Sequence, residues 1–395
     1  MNVWNEHGLG ISPHESVTPR GQIGGFPYEY VLGRTRRGSG FRIIATKVRA
    51  VWRLQRLIRQ AHAAGAVDLI WFNQLSLYDT WPLTVLAKRL GIRTVQAYED
   101  ERRTIVSTNK QSWSARLFAL NSYLSDRWCP QLADAIVVIS SYLEEKYWKR
   151  ASATQGVYRI PTAINCAEWA CSEEETPGIL TLLYSGAFGE QDEIENLVEA
   201  LSMLRDAGHS FEATLVGTNG REPARIAAIK QQIRRSGLSD LIDMPGFLPQ
   251  SDLRSRVCDS NLLVAIRRDA TWSRSGLSTK LSEYLASGRA VVVSDVGESR
   301  CYLEEGKNAY VVPATATPKQ ILAALERAIS SDEQRRLIGL AGQEVAREHF
   351  DVRVVGGLLQ EMLSAVDATT RLGELPDQSH PDRSRQPGRE NLDGR

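Results

Sequence analysis

The sequence lacks any apolar run of about 18 residues, so no membrane-spanning helix is expected. Its first residues, M-N-V-W-N-E-H-G, have neither the charged nor the apolar region of a secretory signal. It has no excess of charge: the net value is +1, which excludes a global field for nucleic acid. No internal repeat is present. Its five cysteines, Cys129, Cys166, Cys171, Cys258 and Cys301, follow no metal-ligand or disulfide spacing, which predicts structural thiols in a reducing cytosol. No G-x-G-x-x-G follows a strand pattern, which removes a nicotinamide dehydrogenase. One local absence stands out. Arg34, Arg36, Arg37, Arg42, Lys47, Arg49, Arg53, Arg56 and Arg59 follow one another with no acid among them.

What is present is globular: 42% hydrophobic and 24% charged residues in a chain of 395, enough for two domains. Residues 1–25 carry no periodic pattern and read as irregular. The basic run overlaps a helical pattern from Ile44 to about Ala64, with Val48, Val51, Trp52, Leu54, Leu57 and Ile58 on an apolar side. Two readings stand: a helix lying on an anionic membrane, or a solvated helix covering a sheet. Beyond it, Val67–Phe72, Ile92–Tyr98 and Ala135–Ile139 read as buried strands alternating with helices at about Trp81–Leu90, Trp113–Trp128 and Tyr142–Trp148. Such alternation predicts a parallel α/β sheet with ligands at the strand C-termini. An acidic cluster, Glu99, Asp100 and Glu101, follows the second strand.

The second half is organised around Ser273–Ser294, S-R-S-G-L-S-T-K-L-S-E-Y-L-A-S-G-R-A-V-V-V-S. Leu281, Tyr284 and Leu285 share one helix face, Ser278 suits the N-cap, and Gly288 suits the position after the last turn. Ala290–Val293 reads as a buried strand. Lys280 falls in the first turn, where the helix dipole disfavours a cation by up to ~1 kcal/mol. An anionic ligand ahead of the helix reverses that penalty. Glu283 lies one turn on, within reach of sugar hydroxyls. A surface Lys–Glu pair at i, i+3, worth about 0.3 kcal/mol, explains the same spacing.

Gly276–Leu277 followed by Lys280, Glu283, Tyr284, Gly288 and a hydrophobic strand resembles the donor-binding signature of retaining glycosyltransferases of family 4, near their polysaccharide-assembly members. The resemblance implies the GT-B fold, two Rossmann-like α/β domains facing across a cleft. It implies that Glu283 binds the donor ribose. Ser275, Gly276, Leu277, Ser278 and Thr279 would hold the diphosphate and sugar. Where the family often has a second glutamate this chain has Ser275. D-A-I-V-V-I-S-S-Y-L-E-E-K-Y resembles the family's last N-domain strand and helix, and Arg159–Asn165 its linker. The family's opening strand, glycine turn and helix have no counterpart before Phe26. Either the true start lies upstream, or part of the acceptor domain has been lost.

Strand 178–185 runs into Gly186-Ala187-Phe188-Gly189 and a helix at Ile194–Leu204, a turn that lets backbone approach a phosphate, or a plain tight turn. The family usually places a lysine after this turn. Here the stretch is Glu190-Gln191-Asp192-Glu193, with no base, so the positive charge must come from elsewhere: Lys280 first, then Arg267, Arg268 and Arg274. Gly217 ends the next strand, and Gly246 lies in a segment that in the family sits beside the base. Paired Arg267 and Arg268 after a strand suit a pyrophosphate, or are surface charge.

The resulting expectation is an acceptor-side domain over 26–172, a donor-binding domain over 173–345, a closing helix over 346–366 and a disordered tail over 367–395. Lys280, Glu283 and Arg268 would be catalytic. The partners would be a nucleotide-diphospho-sugar, a polysaccharide or lipid-linked glycan acceptor, and an anionic membrane surface from the cytoplasmic side. No cofactor is implied, and no D-x-D motif suggests a metal. The rival is a non-catalytic nucleotide-sugar-binding or scaffold homologue, favoured by Ser275 and by the missing N-terminal unit.

Overall fold

A computed structural model of the chain describes residues 2–4, 20–23, 25–31, 41–73, 77–101, 113–152, 155–172, 179–217 and 223–372. The strands are β1 (Asn2–Trp4), β2 (Arg20–Ile23), β3 (Phe26–Tyr30), β4 (Leu69–Asn73), β5 (Arg93–Tyr98), β6 (Ala135–Val138), β7 (Gly156–Arg159), β8 (Leu180–Gly186), β9 (Phe211–Gly217), β10 (Ile242–Gly246), β11 (Leu262–Ala265), β12 (Ala290–Asp295) and β13 (Tyr310–Pro313). The helices are α1 (Phe41–Ala63), α2 (Leu77–Arg89), α3 (Trp113–Trp128), α4 (Ser141–Trp148), α5 (Cys166–Trp169), α6 (Ile194–Asp206), α7 (Pro223–Arg235), α8 (Gln250–Cys258), α9 (Thr271–Arg274), α10 (Thr279–Ser287), α11 (Ser299–Tyr302), α12 (Pro318–Ser330), α13 (Asp332–His349) and α14 (Val352–Leu372). The described residues form two compact units. The first runs up to Ala97 and adds residues to Ile136 and 150–156; the second takes Tyr98–Glu101, Val137–Lys149 and the chain from Val157 onward.

In the first unit β1 and β2 flank β3, one parallel and one antiparallel. This corrects the expectation of an irregular 1–25, and it places a strand ahead of Phe26. A strand of three residues is too short to show alternation, and its pairing with β3 is what makes it one. Strands β4 and β5 follow and pair in parallel, from Leu69 with Arg93 to Asn73 with Ala97. Helix α1 buries Ala50, while Val48 and Trp52 are 65% and 60% exposed alongside exposed Arg49, Arg53, Arg56 and Arg59. Arg34, Arg36 and Arg37 lie outside the described residues.

The second unit holds a wholly parallel six-stranded sheet, ordered β10-β9-β8-β11-β12-β13. The chain starts in the middle, winds outward to β10, then crosses to β11 and winds the other way. The order reverses between β8 and β11, where a doubly wound sheet opens a crevice at its strand C-termini. Alternate residues of each central strand serve opposite faces: Leu182 and Tyr184 pack with α6, α7 and α12, and Leu183 packs with α8 and α10. Helix α12 begins at a capping box between Thr317 and Gln320, with Pro318 following.

Helix α10 is held at its far end. Gly288 takes φ +80°, as a glycine closing a helix does, and its N–H donates to the Leu285 carbonyl. Helix α13 lies close against this point because Gly339 carries no Cβ; one there would come within 2.3 Å of the Gly288 carbonyl oxygen. Helix α14 runs to Leu372, past the expected boundary at Val366, with Met362 and Val366 buried. The tail from 373 lies outside the described residues.

Cys171 and Cys258 form a disulfide, so the expectation of five free thiols fails for this pair; Cys129, Cys166 and Cys301 are free. Their 87-residue separation hides a meeting made by the fold. The Cys171 N–H donates to Ser287 at the end of α10, and Cys258 ends α8 beside it. The cysteines therefore give no argument for a reducing compartment.

Candidate functional site

The reversal point of the six-stranded sheet carries a buried cluster of charge. Strand β8 ends at Gly186, and the turn through Ala187, Phe188 and Gly189 leads to α6. Lys280, in the first turn of α10, reaches back to this turn. Its amine donates to the Tyr184 hydroxyl at 3.2 Å and to Asp192 Oδ1 at 3.3 Å, and lies 4.4 Å from the centre of the Tyr184 ring. Gly186 makes room for it: a Cβ there would sit 2.3 Å from the Tyr184 hydroxyl oxygen and 2.6 Å from the Lys280 amine. The other Asp192 oxygen accepts the Gly189 N–H at 3.1 Å. Asp192 is 2% exposed.

Arg267 joins the cluster from the end of β11. Its backbone pairs with Asp192 in an isolated antiparallel bridge, and its N–H donates to the Ser294 hydroxyl. Burial holds the Arg267 guanidinium below its ordinary range, with the carboxylates of Asp192 and Asp100 opposing. Burial also lowers the Lys280 amine, Asp192 raises it and Arg267 lowers it further. Glu283, one turn along α10, is pushed up to about 7 by burial, with Lys280 opposing. A carboxyl poised there can carry a proton or release it near neutral pH.

Three contacts fix the turn and the helix. The Tyr284 hydroxyl accepts the Ser185 N–H at 2.7 Å, tying α10 to the end of β8. Phe188 has φ +51°, costly for a residue with a side chain at about 1–3 kcal/mol, and is held there by burial against Tyr184 and against Gly217 at the end of β9. Arg225 of α7 donates to the carbonyls of Gly189 and Asp192 and pairs with Glu195. Sequence reasoning passed over Tyr184 and Arg225, and saw in Asp192 only a missing base. Nothing local marks them, because each acts on a residue distant in the chain.

The remaining candidates fall in different places. Arg268 pairs with Glu193 at 3.0 Å, and Arg274 pairs with Asp269 on the exposed side. Lys280 and Arg267 thus converge on Asp192, while Arg268 and Arg274 have carboxylates of their own. Ser275 is fully buried, its hydroxyl donating to the Trp272 carbonyl and its own carbonyl accepting from Ser140. Gly276 packs on Ile139 within the second unit, and Leu277 joins the α10-side core. Ser278 occupies the N-cap position of α10 with Thr279 as the first helical residue, but its hydroxyl makes no capping bond. The first-turn N–H groups and the Lys280 amine therefore sit at the same end of the helix without that cap. Gly246 has φ +84° at the end of the edge strand β10, beside Phe247, which is 61% exposed.

Residues 180–331 match the family model described as Glycosyl transferases group 1, a span containing the whole cluster. Over 172 residues the chain is 25% identical to WcaL of Escherichia coli (strain K12), named for a glycosyltransferase role in colanic acid biosynthesis; the match covers 43% of this chain and 41% of that protein. Three solved structures extend the likeness to most of the chain. Sucrose-phosphate synthase from Thermosynechococcus elongatus has a TM-score of 0.69 at 16% identity, covering 90% of this chain and 87% of its own. Anabaena HepE in complex with UDP and glucose has 0.62 at 17%, covering 86% and 87%. A glycosyltransferase from Rickettsia africae has 0.63 at 13%, covering 87% and 85%. At these identities the likeness defines the fold, which is GT-B, built of two Rossmann-like domains.

Proposed function

We propose that the chain is a retaining glycosyltransferase of family 4 that moves a sugar, a hexose or a relative, from a nucleotide-diphospho-sugar to a hydroxyl of a polysaccharide or lipid-linked glycan. The observation that carries the reading is the Lys280 amine over Gly186, at the reversal point of the sheet and at the mouth of a helix. The family match over this span supports it, as does the UDP-glucose complex of the similar protein HepE.

In this reading 173–345 binds the donor and 26–172 serves the acceptor. The α10 N–H groups, Lys280 and Arg267 stabilise the charge that develops on the diphosphate as the bond from the anomeric carbon to its oxygen breaks. The acceptor oxygen attacks the face the diphosphate leaves, and its proton passes to a departing phosphate oxygen. No protein nucleophile is required, so the chain's task is placement and charge. Glu283 accepts hydrogen bonds from the ribose. With no D-x-D in the sequence, protein cations take the part a metal plays elsewhere. Helix α1, with Trp52 and four exposed arginines, would rest on an anionic membrane at its cytoplasmic face, where a lipid-linked acceptor is presented. Among the described residues no helix is long and apolar enough to cross a membrane.

One observation favours a second reading, a nucleotide-sugar-binding homologue without turnover. Ser275 stands where the family often has a sugar-binding glutamate, and its hydroxyl is spent on the Trp272 carbonyl. The test is a calorimetric titration with UDP, GDP, ADP and dTDP, followed by hydrolysis and transfer assays with the matching sugar nucleotides. Wild type should bind one of them and turn it over, and Lys280→Ala should lose about 10- to 150-fold in kcat/KM, the worth of one charge-assisted hydrogen bond. Binding without turnover in the wild type selects the second reading, and no binding at all defeats both.

A further inference from the structure

We propose that Asp192 is a positioning residue: it holds the Lys280 amine over Gly186, where the donor diphosphate is met. The inference rests on the reading of this site as a donor site. A buried acid is an unexpected occupant there, since it repels the ligand the site is meant to hold. Asp192 is nevertheless nearly inaccessible, and its two oxygens are divided between the turn and the lysine, Oδ2 on the Gly189 N–H and Oδ1 on the amine. Arg225 braces the same stretch through the Gly189 and Asp192 carbonyls. Turn and amine are thereby fixed to each other before any ligand arrives.

The need for such a residue follows from what else faces the amine. From β8 comes the Tyr184 hydroxyl, which is neutral. From the end of β11 comes Arg267, which repels it. Its own helix offers an N-terminal dipole, which disfavours a cation, and Glu283, which is itself half-protonated near neutral pH. Among the described residues, Asp192 is the one that combines contact with the amine and a charge that keeps it protonated. Without it, a lysine among these neighbours would give up its proton readily, as buried lysines do.

The experiment follows the Lys280 side chain by 13Cε NMR on lysine-labelled protein, and titrates the nucleoside diphosphate that wild type selects from UDP, GDP, ADP and dTDP at pH 7 and pH 9. Asp192→Asn should lower the pH at which Lys280 titrates and should cost about tenfold or more in affinity between pH 7 and pH 9, where wild type and Asp192→Glu change less than about threefold. The double variant Asp192→Asn/Lys280→Arg should lose that pH dependence, because a guanidinium stays charged throughout. The proposal is overturned if Lys280 titrates alike in wild type and Asp192→Asn. It is equally overturned if the variant loses affinity by the same factor at both pH values, the mark of a residue that only supports the turn. Should wild type bind no nucleoside diphosphate, the donor-site reading fails, while the Lys280 titration still decides whether Asp192 holds the amine.

Discussion

Glu283 offers a test on the acid side of neutrality. Its carboxyl is pushed up to about 7 by burial, against the pull of Lys280. In the proposed reading a ribose hydroxyl donates to the Glu283 carboxylate far better than to the carboxylic acid, so donor binding would draw the proton off. With a free-state value of about 7, only about one molecule in eleven is ionised at pH 6. Affinity for the nucleotide-diphospho-sugar, whose two phosphates carry no proton that titrates in this range, should therefore fall about tenfold from well above pH 7 down to pH 6, and by about tenfold for each unit below that. Calorimetry in buffers of different ionisation enthalpy should register close to one proton released per ligand near pH 6. Glu283→Gln should bind with an affinity independent of pH over this range. The same shift acts on stability with its own sign. The folded value lies above the ordinary 4.5, so this group's contribution is fully present below about 4.5 and is lost as pH rises to about 7. The bare shift is worth about 3 kcal/mol, and about 2 kcal/mol once partial exposure is discounted. Glu283→Gln should flatten that slope in chemical denaturation. A wild-type affinity that is flat from about pH 5.5 to 8, or a Gln variant with the same slope as wild type, would falsify the role given to this carboxyl.

Gly186→Ala should push the Lys280 amine and the Tyr184 hydroxyl apart, weakening nucleotide binding by about tenfold or more with a smaller fall in Tm; unchanged affinity would mean the amine plays no part. Cys171→Ser should lower the stability of the oxidised protein by about 2–4 kcal/mol, because the bond closes a loop of 87 residues; denaturation with and without reductant should show the difference in wild type and none in the variant. Trp52→Ala with Arg56→Glu should reduce sedimentation with phosphatidylserine vesicles by about tenfold, without changing nucleotide affinity, and equal sedimentation would remove the membrane role from α1.

The second unit was readable because its signals are local. Short apolar runs gave β8, β9, β11 and β12, and the helix pattern of Leu281, Tyr284 and Leu285 gave α10 with Gly288 behind it. The turn at 186–189 and the two arginines after β11 were visible as residue types at strand ends. The partners of those residues were not. Arg268 looked equivalent to Arg267, yet Arg268 faces Glu193 and Arg267 faces the buried cluster. Ser278 had the right side chain for a cap and makes no capping bond. Strands β1 and β2 were too short for periodicity to reveal, and exist through their pairing with β3.

From the sequence by itself came the kind of element at each stretch, and the suggestion that a positive charge missing from the 186–193 turn is supplied by another part of the chain. Such features are set by neighbours two to four residues apart, which is the range over which side-chain periodicity and helix ends act. Only the tertiary structure showed that Lys280, the first of the four cations the sequence offered, meets Asp192 across 88 residues, and which cysteines meet, by bringing Cys171 to Cys258. Strand order and the packing of α10 against the sheet make both encounters, which span 88 and 87 residues, far beyond the range of local patterns.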